Sequence, residues 1–264
     1  MADFAVSSRV YGANARRTPA FGDNVAGFLV EATPVTVTGP QQGDRWIPCT
    51  AEIDGTVDNV FISKNVLRKR VSDARERLVR TTVGEWVRGD RGKRKEHHED
   101  KDVYGEDYSA VVGEYWKNIE RDLDGNNRCW PWSAAFISWC VEKAGGYDDF
   151  EQAAAHARYV HQAIDRRENE RNGSFWGFRL NEHKPQIGDI VCMARGTFSV
   201  TYDYAKVHNE YKSHCDIVIA VRGDHISTLG GNVSHNVDRK TFRTNSSGYL
   251  RPEKRLYAIM RNNR

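Results

Sequence analysis

The side chains best placed to do chemistry cluster in one segment, Cys129 to Gly145, which reads CWPWSAAFISWCVEKAG. Pro131 pre-sets a helix start, the run from Ala134 to Val141 is almost wholly apolar, and Gly145 with Gly146 supplies a stop. A helix that is apolar all round is a buried one. Ser133 therefore stands as the one small polar side chain at the N-terminus of a buried helix. Unpaired N–H groups and the helix dipole favour negative charge there, which suits an activated nucleophile or a developing oxyanion. A plain N-cap serine fits the same position. Covalent catalysis also needs a base and a group that orients the base. His214 opens the apolar run Cys215–Val221, which reads as a buried strand, and Asp216 lies one alternation on, facing the same way as His214. Cys129 and Cys215 are thiols in the same two segments and stand as alternative nucleophiles. Trp130 and Trp132 flank Ser133 as substrate-stacking walls or as core, and His156 either lines the cleft or packs within a helix over 151–166.

These residues need elements to hold them. From Phe21 to Arg68 the texture is β: Thr33–Thr38 alternates, Arg45–Thr50 and Val57–Ile62 read as strands, and Asp54-Gly55 is a hairpin signal. Short strands with frequent turns over this span predict a small barrel. Residues 1–20, polar and small, read as a flexible arm. A helix is expected over 72–88, capped by Ser72 or Asp73, with Ala74, Leu78, Val79, Val83 and Trp86 forming its apolar stripe. Residues 89–108 mix opposite charges and read as a solvated loop. A second helix is expected over 111–123, and strands over 189–194, 215–222, 225–229 and 255–261. The division is thus 1–20, 21–70 and 71–264.

Composition narrows the function. The 264 residues are 39% hydrophobic and 28% charged, the profile of a globular chain. With 39 basic and 36 acidic residues the net charge is +3, without the excess typical of a nucleic-acid binder. No apolar run is long enough to span a bilayer. The five cysteines are odd in number and form no CxxC pair, which argues against a disulfide scaffold or a zinc site. The adjacent His97-His98 lacks the i, i+4 spacing of a helical metal pair. No metal and no organic cofactor is expected.

Two resemblances add to this reading. The stretches VTVTGPQQGDRWIPC and DGTVDNVFISKNVLR resemble the bacterial SH3 pattern, keeping Trp46 but carrying Val60-Phe61-Ile62 where a second GWV would fall. Such modules bind cell-wall peptides or pack on a catalytic domain. The segment PWSAAFISWCVEKAG resembles that of papain-like NlpC/P60-type cell-wall hydrolases, with Ser133 at the position of their nucleophilic cysteine. With the VGEYW at Val112, the His156 and Tyr159 pair, the GDIV at Gly188 and the GGN ending at Asn232, residues 72–262 are similar to the DUF2272 family.

The resemblance implies an α+β fold in which a papain-like domain, its buried central helix on an antiparallel sheet, follows an SH3-like β-barrel. It implies His214 as base and Asn232 as its orienter, with Asp216 able to take that role. The expected function is hydrolysis of an amide bond in peptidoglycan, as endopeptidase or amidase. A non-catalytic cell-wall or partner-binding protein on the same scaffold stays open, as does an ester hydrolase or acyltransferase. Peptidoglycan or its stem peptides would be the partner, with an immunity or delivery protein as a further one. Met1–Tyr11 lacks an apolar core of signal-peptide length, so the expectation is synthesis in the cytoplasm and action in the periplasm or at the cell wall after delivery or lysis, as an effector or lysin.

Overall fold

Two compact units, Met1–Glu76 and Arg77–Arg264, make up the computed structural model, which describes residues 3–8, 11–253 and 255–264. The protein is mixed α/β, with one antiparallel sheet in each unit.

The first unit is a seven-stranded sheet of β1 (Phe4–Val6), β2 (Gly12–Arg16), β3 (Val25–Val30), β4 (Pro34–Val37), β5 (Trp46–Ile53), β6 (Thr56–Ser63) and β7 (Leu67–Lys69), in the order β3-β2-β6-β5-β4-β1-β7. The hairpin β5–β6 turns at Asp54 and Gly55, both at positive φ, the backbone that a two-residue type I′ turn demands. Val6, Ala15, Val35, Cys49, Val60 and Ile62 form its apolar interior. The flexible arm expected over residues 1–20 is corrected here. Ala5, Val6, Ala13 and Ala15 are buried, and β1 pairs with both β4 and β7. Small side chains gave too weak an alternation to read as strand, yet small residues are what a tightly packed sheet interior accepts. Of that segment, Met1, Ala2, Arg9 and Val10 lie outside the described residues.

In the second unit the elements are α1 (Asp73–Arg88, whose first turn belongs to the first unit), α2 (Lys101–Tyr104), α3 (Tyr108–Lys117), α4 (Ser133–Ala144), α5 (His156–Glu168), β8 (Phe175–Phe178), β9 (Ile190–Ala194), α6 (Tyr202–Val207), β10 (Ser213–Arg222), β11 (His225–Val233), β12 (Asn236–Arg243) and β13 (Leu256–Asn262). The six strands run in the order β12-β11-β10-β9-β13-β8. Helix α4 packs on β10 and β11, and α5 packs on β8, β10 and β13. As its composition requires, α4 is buried along almost its whole length. Helix α5 starts five residues later than expected, because the preceding segment is spent on other bonds. The Ala153 N–H donates to Ser138 Oγ at 3.1 Å and Gln152 bonds Asn118 and Glu142.

The solvated loop expected over 89–108 is corrected at two of its charged residues. Arg94 is 2% exposed. It donates to both Asp100 oxygens and to the carbonyls of Arg88 and Glu106, and its guanidinium lies 4.3 Å from the Tyr104 ring centroid. Burial of a charge is tolerated only with such full pairing. Glu96, also buried, accepts the indole N–H of Trp132 at 2.6 Å and faces His235 Nδ1 at 2.8 Å. Two charged side chains of that stretch, Arg94 and Glu96, are thus buried and paired, while Arg91, Lys93, Glu99 and residues 101–105 stay exposed. Among the described residues no helix is long and apolar enough to cross a membrane.

Candidate active site

Both α4 and α5 lean on β10, and each begins at the same cavity with a chemically active side chain: Ser133 is the first residue of α4 and His156 the first of α5. Ser133 Oγ and His156 Nε2 are 2.7 Å apart, and both residues are almost completely buried. Ser133 is not an N-cap. Trp132 holds that position, and neither it nor Ala155, the N-cap of α5, gives a side-chain cap. The first N–H groups of both helices are therefore left to face other partners.

One turn along α5, the Tyr159 hydroxyl hydrogen-bonds His156 Nδ1. The i, i+3 spacing puts the two side chains on one helix face. For the Ser133 hydroxyl to donate to Nε2, Nδ1 must carry the ring hydrogen and donate it to the Tyr159 oxygen. Burial holds the His156 ring well below the ordinary histidine range, and the electrostatic influence of neighbouring His214, Arg195 and Lys240 lowers it further, against the opposing pull of Asp216. His156 is thus a neutral imidazole at physiological pH, able to accept a proton. Burial also pushes the Tyr159 phenol well above 10.0, so Tyr159 is a neutral orienter.

A second pair sits beside the first. The His214 ring centroid is 5.4 Å from that of His156. His214 Nε2 donates to Asp216 Oδ1 at 2.8 Å. Thr228 Oγ1 donates to Asp216 Oδ2 at 3.2 Å, and Lys240 Nζ reaches both Asp216 oxygens at 3.2 and 3.1 Å. Burial favours the neutral acid at Asp216, but the charges and hydrogen bonds of His214 and Lys240 win and hold it below the usual carboxylate range. These residues come from three neighbouring strands: His214 and Asp216 from β10, Thr228 from β11 and Lys240 from β12. Gly230 makes room for them: a Cβ there would lie 1.9 Å from Asp216 Oδ1 and 3.1 Å from His214 Nε2. Gly231 does the same for α4, since its Cβ would lie 2.5 Å from the Phe136 Cβ.

The cavity, about 460 Å³, is lined by Ser133, Ala134, His156, Arg195, Lys212 and Ser213 among others. Of the residues singled out from the sequence, the structure brings Ser133, His156, His214 and Asp216 together. Asn232 lies at positive φ in the bulge that ends β11 and makes no hydrogen bond to the His214 ring. Asp216 occupies the place expected of Asn232. Cys129 sits in an exposed turn and does not line the cavity. Cys215 is fully buried, and burial, reinforced by Cys192, pushes its thiol well above 9.0, so it carries almost no thiolate. Trp132 is buried under Glu96 rather than walling the cavity, and Trp130 is exposed but outside the lining. Sequence reasoning missed the direct Ser133–His156 contact, the Tyr159 orienter and the Lys240 and Thr228 bonds to Asp216. The three-residue spacing of His156 and Tyr159 was the available signal. Among the described residues no three His, Cys, Asp or Glu side chains are placed to hold a metal ion.

A family model described as an uncharacterized protein conserved in bacteria, DUF2272, matches residues 101–263. A comparison with curated proteins finds no match. Among solved structures, NlpC2 from Trichomonas vaginalis is similar over 99% of this chain and 73% of that one, at 11% identity and a TM-score of 0.29. A likeness that loose sets no correspondence between residues.

Proposed function

The chain belongs to the DUF2272 family, and on that premise we propose that it is a serine-type acyl hydrolase that cleaves an amide bond in peptidoglycan. The observation that carries the chemistry is the 2.7 Å contact between Ser133 Oγ and a buried, neutral His156 at a helix N-terminus on a cavity. The choice of peptidoglycan rests on the resemblance of PWSAAFISWCVEKAG to papain-like cell-wall hydrolases.

In this mechanism Ser133 Oγ attacks the substrate carbonyl carbon as its proton passes to His156 Nε2. The carbonyl oxygen gains the electron pair and is held by the free N–H groups at the start of α4. His156 then protonates the leaving amine, and the C–N bond breaks to leave an acyl-serine. Water repeats the sequence with His156 as base, releasing the acid and restoring Ser133. Tyr159 keeps Nε2 unprotonated and aimed at Ser133. His214, the base that the resemblance implies, has its Nε2 committed to Asp216 and does not line the cavity. The Met1–Glu76 unit serves as an SH3-like cell-wall module. The supporting features there are Trp46 and the exposed Phe21, whose rings meet edge-on at 5.1 Å. The site of action is the periplasm or the cell wall.

One observation favours a second reading, in which the scaffold binds cell-wall peptides without turnover. The partner of His156 Nδ1 is a phenol, not a carboxylate, so the imidazolium formed during attack gains no negative charge from its hydrogen-bond partner, and the nearby Asp216 is bonded to His214 and Lys240 instead. Ester hydrolysis, which has a better leaving group, asks less of such a base. The deciding experiment is muropeptide release from purified sacculi, read by mass spectrometry beside hydrolysis of a chromogenic ester. The wild type is expected to release fragments, and Ser133→Ala and His156→Ala each to lower the rate by roughly a thousandfold or more. Loss on His214→Ala with activity kept in His156→Ala moves the base to His214. Ester turnover alone points to the esterase or acyltransferase reading. Saturable binding of sacculi by folded wild type with no turnover of either substrate overturns the hydrolase.

A further inference from the structure

The residue before the nucleophile is anchored by a contact that the acyl-transfer steps do not use. Trp132 is the N-cap of α4 and gives it no side-chain cap, and its carbonyl accepts the helix bond from the Phe136 N–H at 2.9 Å. The seating of its ring therefore bears on where the helix starts. That ring is 1% exposed and packs against Tyr115 and Phe136, with centroids 5.6 and 6.3 Å away. It also fills the space beside Gly231, where a Cβ would lie 2.7 Å from Cζ3. Apolar packing is non-directional, whereas a buried indole N–H needs an acceptor along its own axis. The acceptor is Glu96 Oε2, at 2.6 Å. Glu96 is itself 3% exposed and held on its other side: Oε1 faces His235 Nδ1 at 2.8 Å, and its N–H donates to the His235 carbonyl at 2.7 Å. Ser234 and His235 form the two-residue turn between β11 and β12, with φ of 52° and 68°, a left-handed backbone uncommon outside glycine. Such a backbone persists where its surroundings over-determine it, and Lys95 Nζ adds a bond to the Ser234 carbonyl at 3.0 Å. Gly125 closes in behind, where a Cβ would lie 1.6 Å from the Glu96 carbonyl oxygen. Glu96 does not line the cavity.

We propose that Glu96 is a positioning residue for the nucleophile: by holding the Trp132 indole it fixes where α4 starts, and with it the 2.7 Å approach of Ser133 Oγ to His156 Nε2. This role rests on the hydrolase reading and adds to it a residue outside the cavity. Ser133 follows Trp132 directly in the chain, so a turn of the Trp132 side chain carries the Ser133 backbone with it. Without the acceptor a buried donor is left unpaired, and the ring must move to satisfy it. The reacting pair tolerates little of that movement, since a misplacement of 1 Å costs about 100-fold in rate. The part of Glu96 is to accept one hydrogen bond, and it exchanges no proton with the substrate.

Steady-state kinetics and NMR of the full chain test this role, with every variant measured well below its own thermal midpoint. Glu96→Leu removes the acceptor, Trp132→Phe removes the donor and keeps a ring, and Glu96→Gln keeps an amide oxygen in the acceptor's place. Glu96→Leu and Trp132→Phe are each expected to lower kcat on muropeptides about 10-fold or more, with KM within about twofold of wild type. Glu96→Gln should keep kcat within about threefold of wild type. The Glu96→Leu, Trp132→Phe double variant should be no slower than the slower single one, because both act through one bond. The low-field ring N–H resonance of His156, identified by its loss in His156→Gln, should shift in Glu96→Leu and keep its place in Glu96→Gln. Should Glu96→Leu fail to fold, Trp132→Phe and Glu96→Gln carry the same comparison. Unchanged kcat in Glu96→Leu, a loss in Glu96→Gln equal to that in Glu96→Leu, or additive losses in the double variant overturns the proposal. Where wild type turns over no substrate the hydrolase falls and the resonance decides alone. A shift in Glu96→Leu that Glu96→Gln lacks then keeps Glu96 as the anchor of the Ser133–His156 pair, and the absence of a shift removes it.

Discussion

Ser133 and His156 are 23 residues apart in sequence, and one hydrogen bond between them organises the proposed chemistry. What surrounds that bond sets its pH behaviour. Because burial and neighbouring cations hold His156 below the ordinary 6.5, the base stays unprotonated through neutrality. The acidic limb of the kcat/KM profile is therefore expected to fall below pH 6.5, and initial rates from pH 4 to 8 check it. A limb at or above 6.5 would be at odds with His156 as the base. Tyr159→Phe removes the acceptor of the His156 Nδ1–H without changing the ring's packing. It leaves a buried donor unpaired, at a cost of about 1–3 kcal/mol. It also frees the imidazole to take the wrong tautomer, so kcat should fall roughly tenfold or more with little change in KM. Thermal melts and steady-state kinetics on the same preparation separate the two effects. An unchanged kcat would remove Tyr159 from the orienting role.

Strands and helices bring the two histidine pairs within reach of one another, and glycines set how closely they approach. Gly230 is tightly confined. An alanine Cβ would lie 1.9 Å from Asp216 Oδ1, so Gly230→Ala must displace the carboxylate from its bonds to His214, Thr228 and Lys240. The expected result is destabilisation of about 3 kcal/mol or more, the scale of breaking a buried charged network. Gly84, on the exposed face of α1, meets nothing within 4 Å. There Gly84→Ala should stabilise by roughly 0.5–1 kcal/mol, because alanine has less backbone freedom to lose. Urea melts of the two variants should move in opposite directions. Two shifts of the same sign would mean that the close approach at Gly230 does not govern stability.

At the scale of the whole molecule, acid stability records the buried ionisable groups. His156 and Asp216 both have folded-state pKa values below their ordinary 6.5 and 3.8. Above pH 6.5 the folded and unfolded chains bind the same protons at these groups, and the stability is fully present. As pH falls from 6.5 the unfolded chain takes up a proton at residue 156 that the folded chain refuses, and stability drops by up to about 1.4 kcal/mol per pH unit. A further loss begins below pH 3.8, where Asp216 adds its share. Thermal melts from pH 8 to 3.5 should show the first decline, and His156→Gln should flatten it between pH 6.5 and 4.5. An identical decline in the variant would place its origin elsewhere. The near-balance of 39 basic and 36 acidic residues keeps general charge repulsion small across the neutral range, so these local groups dominate the profile there.

Local physics was legible in the sequence wherever one element decided the outcome. The apolar run after Pro131 dictates a buried helix beginning at Ser133, alternation puts His214 and Asp216 on one face of a strand, and Asp54-Gly55 dictates a hairpin. Those features depend on bonds within an element or between neighbours in the chain. Contacts between elements were not legible. Alternation along β10 says nothing about Lys240 arriving from β12, and the charge pattern of 89–108 cannot tell that Arg94 and Glu96 are buried while their neighbours stay exposed. The same limit applies to residues 1–20, whose small side chains carry too little amphipathic signal to declare a strand until partners exist. The choice of histidine at Ser133 was made by the packing of α4 and α5 on the same strand. That packing sets the approach of their first residues to within a hydrogen bond, and no spacing in the sequence encodes that distance.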